Sequence, residues 1–135
     1  MIARLVGSEM CIRDRLIDEY PILAIAATQS TGITKFNGLD ELRHKESDRI
    51  KSITQNLKRL GFKVITQNNN IIIHGSKHVI KKSVKIRTFN DHRIAMAFSI
   101  LSIIYEYKIS LDNEKCIAIS YPDFKKHIRE LLVNA

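Results

Sequence analysis

Two stretches of this chain are apolar on every side over a helical length, and they constrain its fold more than any other feature. Residues 22–27, "ILAIAA", follow Pro21, and residues 94–105, "IAMAFSILSIIY", follow a candidate cap at Asn90 or Asp91. Proline is tolerated in the first turn of a helix, and Asn and Asp are preferred N-caps. A helix without a polar face has to be buried whole. No strand segment of the chain is as thoroughly apolar as these helices. The pattern therefore predicts an α/β fold with helices inside and sheet outside, an uncommon arrangement.

The other elements follow from period and punctuation. The first apolar helix runs from about Glu19 to Thr28, then "GITKF" reads as a strand and "NGLD" as a turn. A helix over about 45–60 carries Ile50, Ile53, Leu57 and Leu60 on one line and stops at Gly61, as helices often do at glycine. "KVITQ" and "NIIIHG" flank Asn68 and Asn69 as a hairpin. "SVKIRTF" is a strand before the second apolar helix, and "KISLD" is one after it. Pro122 opens a last amphipathic helix bearing Phe124, Ile128, Leu131 and Leu132. Strand, helix and strand recur in this order, the outline of an internal repeat without residue-level identity.

Length and charge narrow the partners. The chain has 135 residues, enough for one domain or part of a larger one, and its 44% hydrophobic content supports a core. No apolar run is long enough to cross a membrane. A net charge of +8 and a pI near 9.7 favour anionic partners. Basic residues interleaved with aromatics are missing, which argues for small anions and against nucleic acid. The two cysteines, Cys11 and Cys116, imply neither a disulfide framework nor a metal-ligand set, and a reducing, cytoplasmic setting fits them.

Residues 5–15, "LVGSEMCIRDR", resemble the translation of an adapter used in preparing sequencing libraries. That sets residues 1–15 apart as a non-native segment with no part in the fold. The natural sequence then resumes near Leu16, inside a longer gene, and residues 16–135 are a fragment.

Three groups of residues could carry chemistry. Asp18 precedes the first apolar helix, either as a cap or first-turn acid or as a base held ionised by the helix N-terminus. In "ELRHKESDRI", projecting the second helix back one turn puts Glu46 on its apolar line, Arg49 at the edge and Asp48 away. Lys45, Glu46 and Arg49 then form either the mouth of a core or an ordinary intrahelical ion-pair set. In "FNDHRIAMAF", Arg93 occupies a first helical turn, where the macrodipole disfavours a cation. Backbone N–H groups and the guanidinium could bind an anion there together, or Arg93 could pair with Asp91. His92 is read as structural or as a donor. No Gly-rich phosphate loop and no metal-spaced His/Cys/Asp set occurs.

These residues carry a family resemblance. "DEYPILAIAATQSTGIT", "ELRHKESDRI", "NDHRIAMAF" and "ISYPDF" are similar, in order and spacing, to stretches of the 5-enolpyruvylshikimate-3-phosphate synthases, also called 3-phosphoshikimate 1-carboxyvinyltransferases. The resemblance runs from Leu16 to the C-terminus. It implies part of an inverted α/β barrel domain built from βαβαββ units, with this chain as the last part of one domain. The implied reaction moves the enolpyruvyl group of phosphoenolpyruvate to the 5-hydroxyl of shikimate 3-phosphate and releases phosphate, with no metal or cofactor. Implied partners are those two substrates and the missing N-terminal part, in an enzyme that is monomeric at full length.

By the same resemblance, Asp18 contacts the 5-hydroxyl and accepts its proton, and Glu46 donates a proton to the enol methylene. Lys45 binds shikimate 3-phosphate, and Arg49 and Arg93 hold phosphoenolpyruvate. Two positions depart from the family pattern. Ile119 stands where many members have lysine, and Glu41 where some have asparagine, so neither role transfers. Two alternatives remain: the related transferase that uses a UDP-sugar and a reactive cysteine, for which Cys116 is poorly placed, and a basic binding module without catalysis.

Overall fold

A computed structural model of the chain describes residues 9–11, 18–45, 47–76, 80, 82–106 and 108–134. Glu46 lies outside them. The elements run β1 (Glu9–Cys11), α1 (Tyr20–Gln29), β2 (Ile33–Asn37), a 3-10 turn (Asp40–His44), α2 (Arg49–Arg59), β3 (Val64–Gln67) and β4 (Asn70–His74). They continue with β5 (Val84–Ile86), α3 (His92–Ile104), β6 (Ile109–Leu111), α4 (Lys115–Ser120) and α5 (Phe124–Asn134).

Up to β4 the order is βαβαββ. β1 pairs parallel with β2, β2 antiparallel with β4, and β4 antiparallel with β3, giving the sheet order β1-β2-β4-β3. β5 and β6 form a second parallel pair across α3, so strand–helix–parallel strand occurs twice, the first time as β1–α1–β2 rather than around α2 as the repeat outline places it. α1 and α3 are the inner helices: α1 has no exposed residue and α3 only Ile104. α1 packs on α3, and α2 touches both. One buried cluster joins Ala24 and Ile25 of α1, Ile53 and Leu57 of α2 and Phe98 and Leu101 of α3. Phe36, Ile71, Ile73, Ile86 and Ile109 close it from the two sheets, in keeping with the period-two alternation of side chains along strands.

Local chemistry sets the element ends. Past α2, Gly61 has φ 92°, its N–H bonds Lys58 O, and the Phe62 N–H bonds Leu57 O at 3.0 Å. This is the paired closure that a glycine in the left-handed region permits. The hairpin turns at Asn68, φ 54°, a conformation asparagine tolerates better than most residues. Gly75 lies so near the end of α1 that a Cβ there would stand 2.0 Å from Ser30 O.

Three expectations change. α2 begins at Arg49, not near Lys45, because Asp48 caps it by accepting the Lys51 N–H at 3.1 Å. Lys45 is extended instead, with ψ −160°, so it stands outside the helix, and the place given to Glu46 on the apolar line lies outside the described residues. The last helix starts at Phe124, and a short helix over Lys115–Ser120 precedes it. Of its predicted apolar face only Phe124 is buried, while Leu131 is 67% exposed and Leu132 48%. The third change concerns residues 1–15: residues 9–11 do join the fold, their backbone supplying the first strand of the βαβαββ unit.

Tyr20 packs edge-on against Phe36 with ring centroids 5.2 Å apart, and its hydroxyl is buried without a hydrogen-bond partner among the described residues. A buried, unsatisfied polar group costs about 1–3 kcal/mol. Tyr20→Phe should therefore raise the free energy of unfolding, by about 1 kcal/mol in urea denaturation. A loss of similar size would show that the hydroxyl has a partner after all.

Candidate active site

The starts of α1, α2 and α3 come together at one end of the helical layer, and the charged residues singled out from the sequence meet there. At the centre is an ion pair. Arg49, whose side chain is 3% exposed, points its Nε at Asp91 Oδ2 (2.8 Å) and Nη2 at Oδ1 (3.2 Å). The Asp91 side chain is fully buried. Its remaining lone pairs are used as well: Oδ2 accepts from Ser47 Oγ at 2.8 Å, and Oδ1 accepts from the Arg93 backbone N–H at 3.0 Å. Asp91 is thus both the N-cap of α3 and the counter-ion of Arg49.

Arg49 Nη1 reaches Asp18 Oδ1 at 3.1 Å, and Lys45 Nζ reaches the same oxygen at 3.4 Å. Arg93 Nη1 lies 3.4 Å from the Asp18 backbone oxygen and 3.5 Å from Glu19 Oε1, both long contacts. The Asp18 side chain is 44% exposed, so this edge of the cluster is the one open to solvent. Asp18 does not cap α1; Glu19 occupies the cap position without a side-chain bond. Arg93 does not pair with Asp91 through its side chain, because Arg49 has taken that carboxylate.

Four of the five residues predicted for the site, Asp18, Lys45, Arg49 and Arg93, therefore converge. Glu46 lies outside the described residues, although both its neighbours, Lys45 and Ser47, border the cluster. Arg49 is not at the edge of an apolar line, as helical projection suggests, but buried in a bidentate pair. The long-range use of Asp91 is legible only in three dimensions. Its sole sequence signal is a helix cap next to an arginine.

Surrounding groups hold these elements in place. Arg43 donates Nε to Asn69 Oδ1 (2.7 Å), Nη2 to Asn68 O (3.0 Å) and Nη1 to Asp48 Oδ2 (3.1 Å), tying the hairpin turn to the cap of α2. Ahead of Asp91, Phe89 and Asn90 both take positive φ, 54° and 56°, strain that persists only where neighbours impose it. Asp112 Oδ1 does so by accepting from Thr88 N (3.0 Å) and Oγ1 (2.8 Å), while Asn113 donates to Asn90. Cys116 is different in kind. Burial pushes its thiol pKa up, and its sulfur donates to Asn113 O, which suits a packed thiol rather than a reactive thiolate.

Helices inside, sheets outside and lysine and arginine gathered at helix starts beside carboxylates define an inverted α/β barrel domain, with an end suited to small anions. The comparisons agree with that class. The family model described as EPSP synthase (3-phosphoshikimate 1-carboxyvinyltransferase) matches residues 4–128. The chain belongs to this family. It is 44% identical over 117 residues to the 3-phosphoshikimate 1-carboxyvinyltransferase of Aquifex aeolicus (strain VF5), covering 87% of this chain and 27% of that protein. It is 43% identical to that of Clostridium tetani (strain Massachusetts / E88), covering 93% of this chain and 28% of that one. A solved EPSP synthase from Acinetobacter baumannii superposes with a TM-score of 0.70 at 35% identity, over 82% of this chain and 26% of that one. The chain thus spans about a quarter of the length of its relatives.

Both aspartates respond to acid in the same sense. Burial raises the Asp18 pKa, but the hydrogen bond from Lys45 and the charges of Lys45, Arg49 and Arg93 outweigh it and leave the carboxyl below the usual range. Burial also raises that of Asp91, and the bonds from Arg49, Ser47 and the Arg93 N–H with the Arg49 charge bring it below as well. The unfolded chain, with Asp near 3.9, takes up these protons first, so their stabilisation is intact above about pH 4 and lost as the pH falls through the folded values. The denaturation midpoint should hold from neutral pH to about 4.5 and then fall, less steeply in Asp91→Asn. An equally steep fall in that variant would contradict the assignment.

Proposed function

We propose that this chain is the C-terminal part of one domain of a cytoplasmic enzyme of the shikimate pathway, leading to chorismate and the aromatic amino acids. It transfers the enolpyruvyl group of phosphoenolpyruvate to the 5-hydroxyl of shikimate 3-phosphate and releases phosphate. The observation that carries this reading is the convergence on Asp18 of Lys45, Arg49 at the start of α2 and Arg93 at the start of α3, in a chain of this family. Residues 16–135 are the enzyme's own sequence. Residues 1–15 are a non-native lead-in that supplies backbone to the first strand, which fits the fact that ladder hydrogen bonds are made by the main chain.

In this reading Arg49 and Arg93 hold phosphoenolpyruvate and Lys45 holds shikimate 3-phosphate. Glu46 delivers a proton to C3 of the enol, leaving C2 cation-like. The 5-oxygen attacks C2 as Asp18 takes its proton, and the tetrahedral adduct then loses a proton from C3 and expels phosphate. The atoms balance without a metal or a redox partner. Each positioned acid or base contributes about 10²–10⁴ in rate.

Charge shows what this segment needs from the rest of the enzyme. Two phosphates and two carboxylates bring roughly −5 to −6 into the cleft. Arg49 is already matched by Asp91, and Lys45 is engaged with Asp18. Further cations come from the N-terminal part of the same chain, which also closes the site against water. The full-length enzyme is a monomer with small-molecule substrates, and binds neither nucleic acid nor a membrane. Among the described residues no helix is long and apolar enough to cross one.

Steady-state kinetics with both substrates varied test the reading. The 135-residue chain alone should release no phosphate from the pair, and a full-length enzyme carrying this segment should. In that enzyme Glu46→Gln should lower kcat by about 10² or more while shikimate 3-phosphate binding changes little, since an amide cannot deliver the proton. Arg93→Ala should mainly raise KM for phosphoenolpyruvate. Near-normal turnover of Glu46→Gln would remove this carboxylate from the role of proton donor.

A further inference from the structure

Asp91 touches neither the open edge of the cluster nor solvent, and no step above uses it, yet it contacts both arginines assigned to phosphoenolpyruvate. Its two oxygens grip the Nε and Nη2 of Arg49, and one of them also accepts the backbone N–H of Arg93. The grip occupies one side of the Arg49 fork and leaves Nη1 pointing toward Asp18 and the open edge. Because the Arg93 bond is to the main chain, the same carboxylate fixes where α3 starts and hence where the Arg93 side chain departs.

We propose that Asp91 is the positioning residue of the phosphoenolpyruvate subsite, setting the orientation of Arg49 and the place of Arg93 through one buried carboxylate. This rests on the phosphoenolpyruvate reading of the two arginines. The groups around Asp91 are built for such a task. The left-handed backbone at Phe89 and Asn90 drives Asp91 inward, and Ser47 supplies a further donor to it. A residue needed only to cap α3 would not have to be fully buried or to engage a guanidinium on two nitrogens. Arg49 needs that help, because its chain enters from the other half of the repeat and Asp18 holds its guanidinium through Nη1 alone.

Asp91→Ser separates the two roles, since a serine hydroxyl still caps a helix but cannot grip a guanidinium at two points. Asp91→Asn keeps the shape and one acceptor oxygen, and serves if the serine variant does not fold. In the 135-residue chain, the Arg49 Nε–H should give a slowly exchanging NMR resonance that sharpens the contrast with exposed arginines. In either variant it should exchange fast while the amide signals of α3 persist. Unchanged exchange would overturn the proposal, whatever the enzyme does. In the full-length enzyme the variants should raise KM for phosphoenolpyruvate by about tenfold or more, with KM for shikimate 3-phosphate nearly unmoved. Equal loss for both substrates, or none, would also overturn it. A wild-type enzyme inactive on the pair would instead defeat the functional reading, while the NMR result would still decide the orientation of Arg49.

Discussion

A guanidinium and a carboxylate, both almost without solvent contact, meet where α2 and α3 begin, and the order at this end of the molecule depends on that meeting. Removing either charge from water is costly, and the pair is tolerable only because its geometry is bidentate and its remaining lone pairs are used. Arg49 and Asp91 satisfy both conditions through Ser47, the Arg93 N–H and Asp18. Such a pair stabilises little compared with well-packed apolar residues of the same size. Breaking it by removing one partner is a different matter, because the other charge is left buried. The physical effect is therefore specificity: one arrangement of the two helix starts satisfies these groups.

That arrangement also links the two halves of the fold. α2 belongs to the βαβαββ unit and α3 to the second parallel pair, and a second polar clamp joins them beside the ion pair. Asn56, 1% exposed, donates Nδ2 to Arg87 O at 2.8 Å and accepts the Arg87 N–H at 3.1 Å. Its amide bonds the backbone beyond β5 much as a neighbouring strand would. The apolar cluster supplies the bulk of the burial, and these directional contacts fix how the halves register.

Much of this was legible in the sequence, because it rests on period and punctuation. All-round apolar helices put helix inside and sheet outside, Gly61 marks a helix end, Asn68 and Asn69 a hairpin turn, and Asn90 or Asp91 a cap, which the structure assigns to Asp91. What was not legible has a common cause. Helical projection starts α2 too early because Lys45, Glu46 and Asp48 continue its pattern, and nothing local reveals that Asp48 caps while Lys45 turns extended. Arg49 reads as an edge residue in the sequence because its partner is 42 positions away. The strand at residues 9–11 runs against the reading of residues 1–15 as a segment outside the fold, because main-chain pairing can recruit a segment whatever its side chains. The exposed apolar face of α5 shows the opposite limit: amphipathic spacing announces a face to cover, not what covers it.

The most direct measurement is a double-mutant cycle on stability, with Arg49→Met and Asp91→Asn made singly and together in the 135-residue chain and unfolded in urea. A buried pair in one hydrogen-bond network should show a coupling of about 1–3 kcal/mol, with the double variant less damaged than the two single losses added. Additive losses, with coupling within about 0.3 kcal/mol of zero, would mean that the two groups do not meet and that the site is not organised around them.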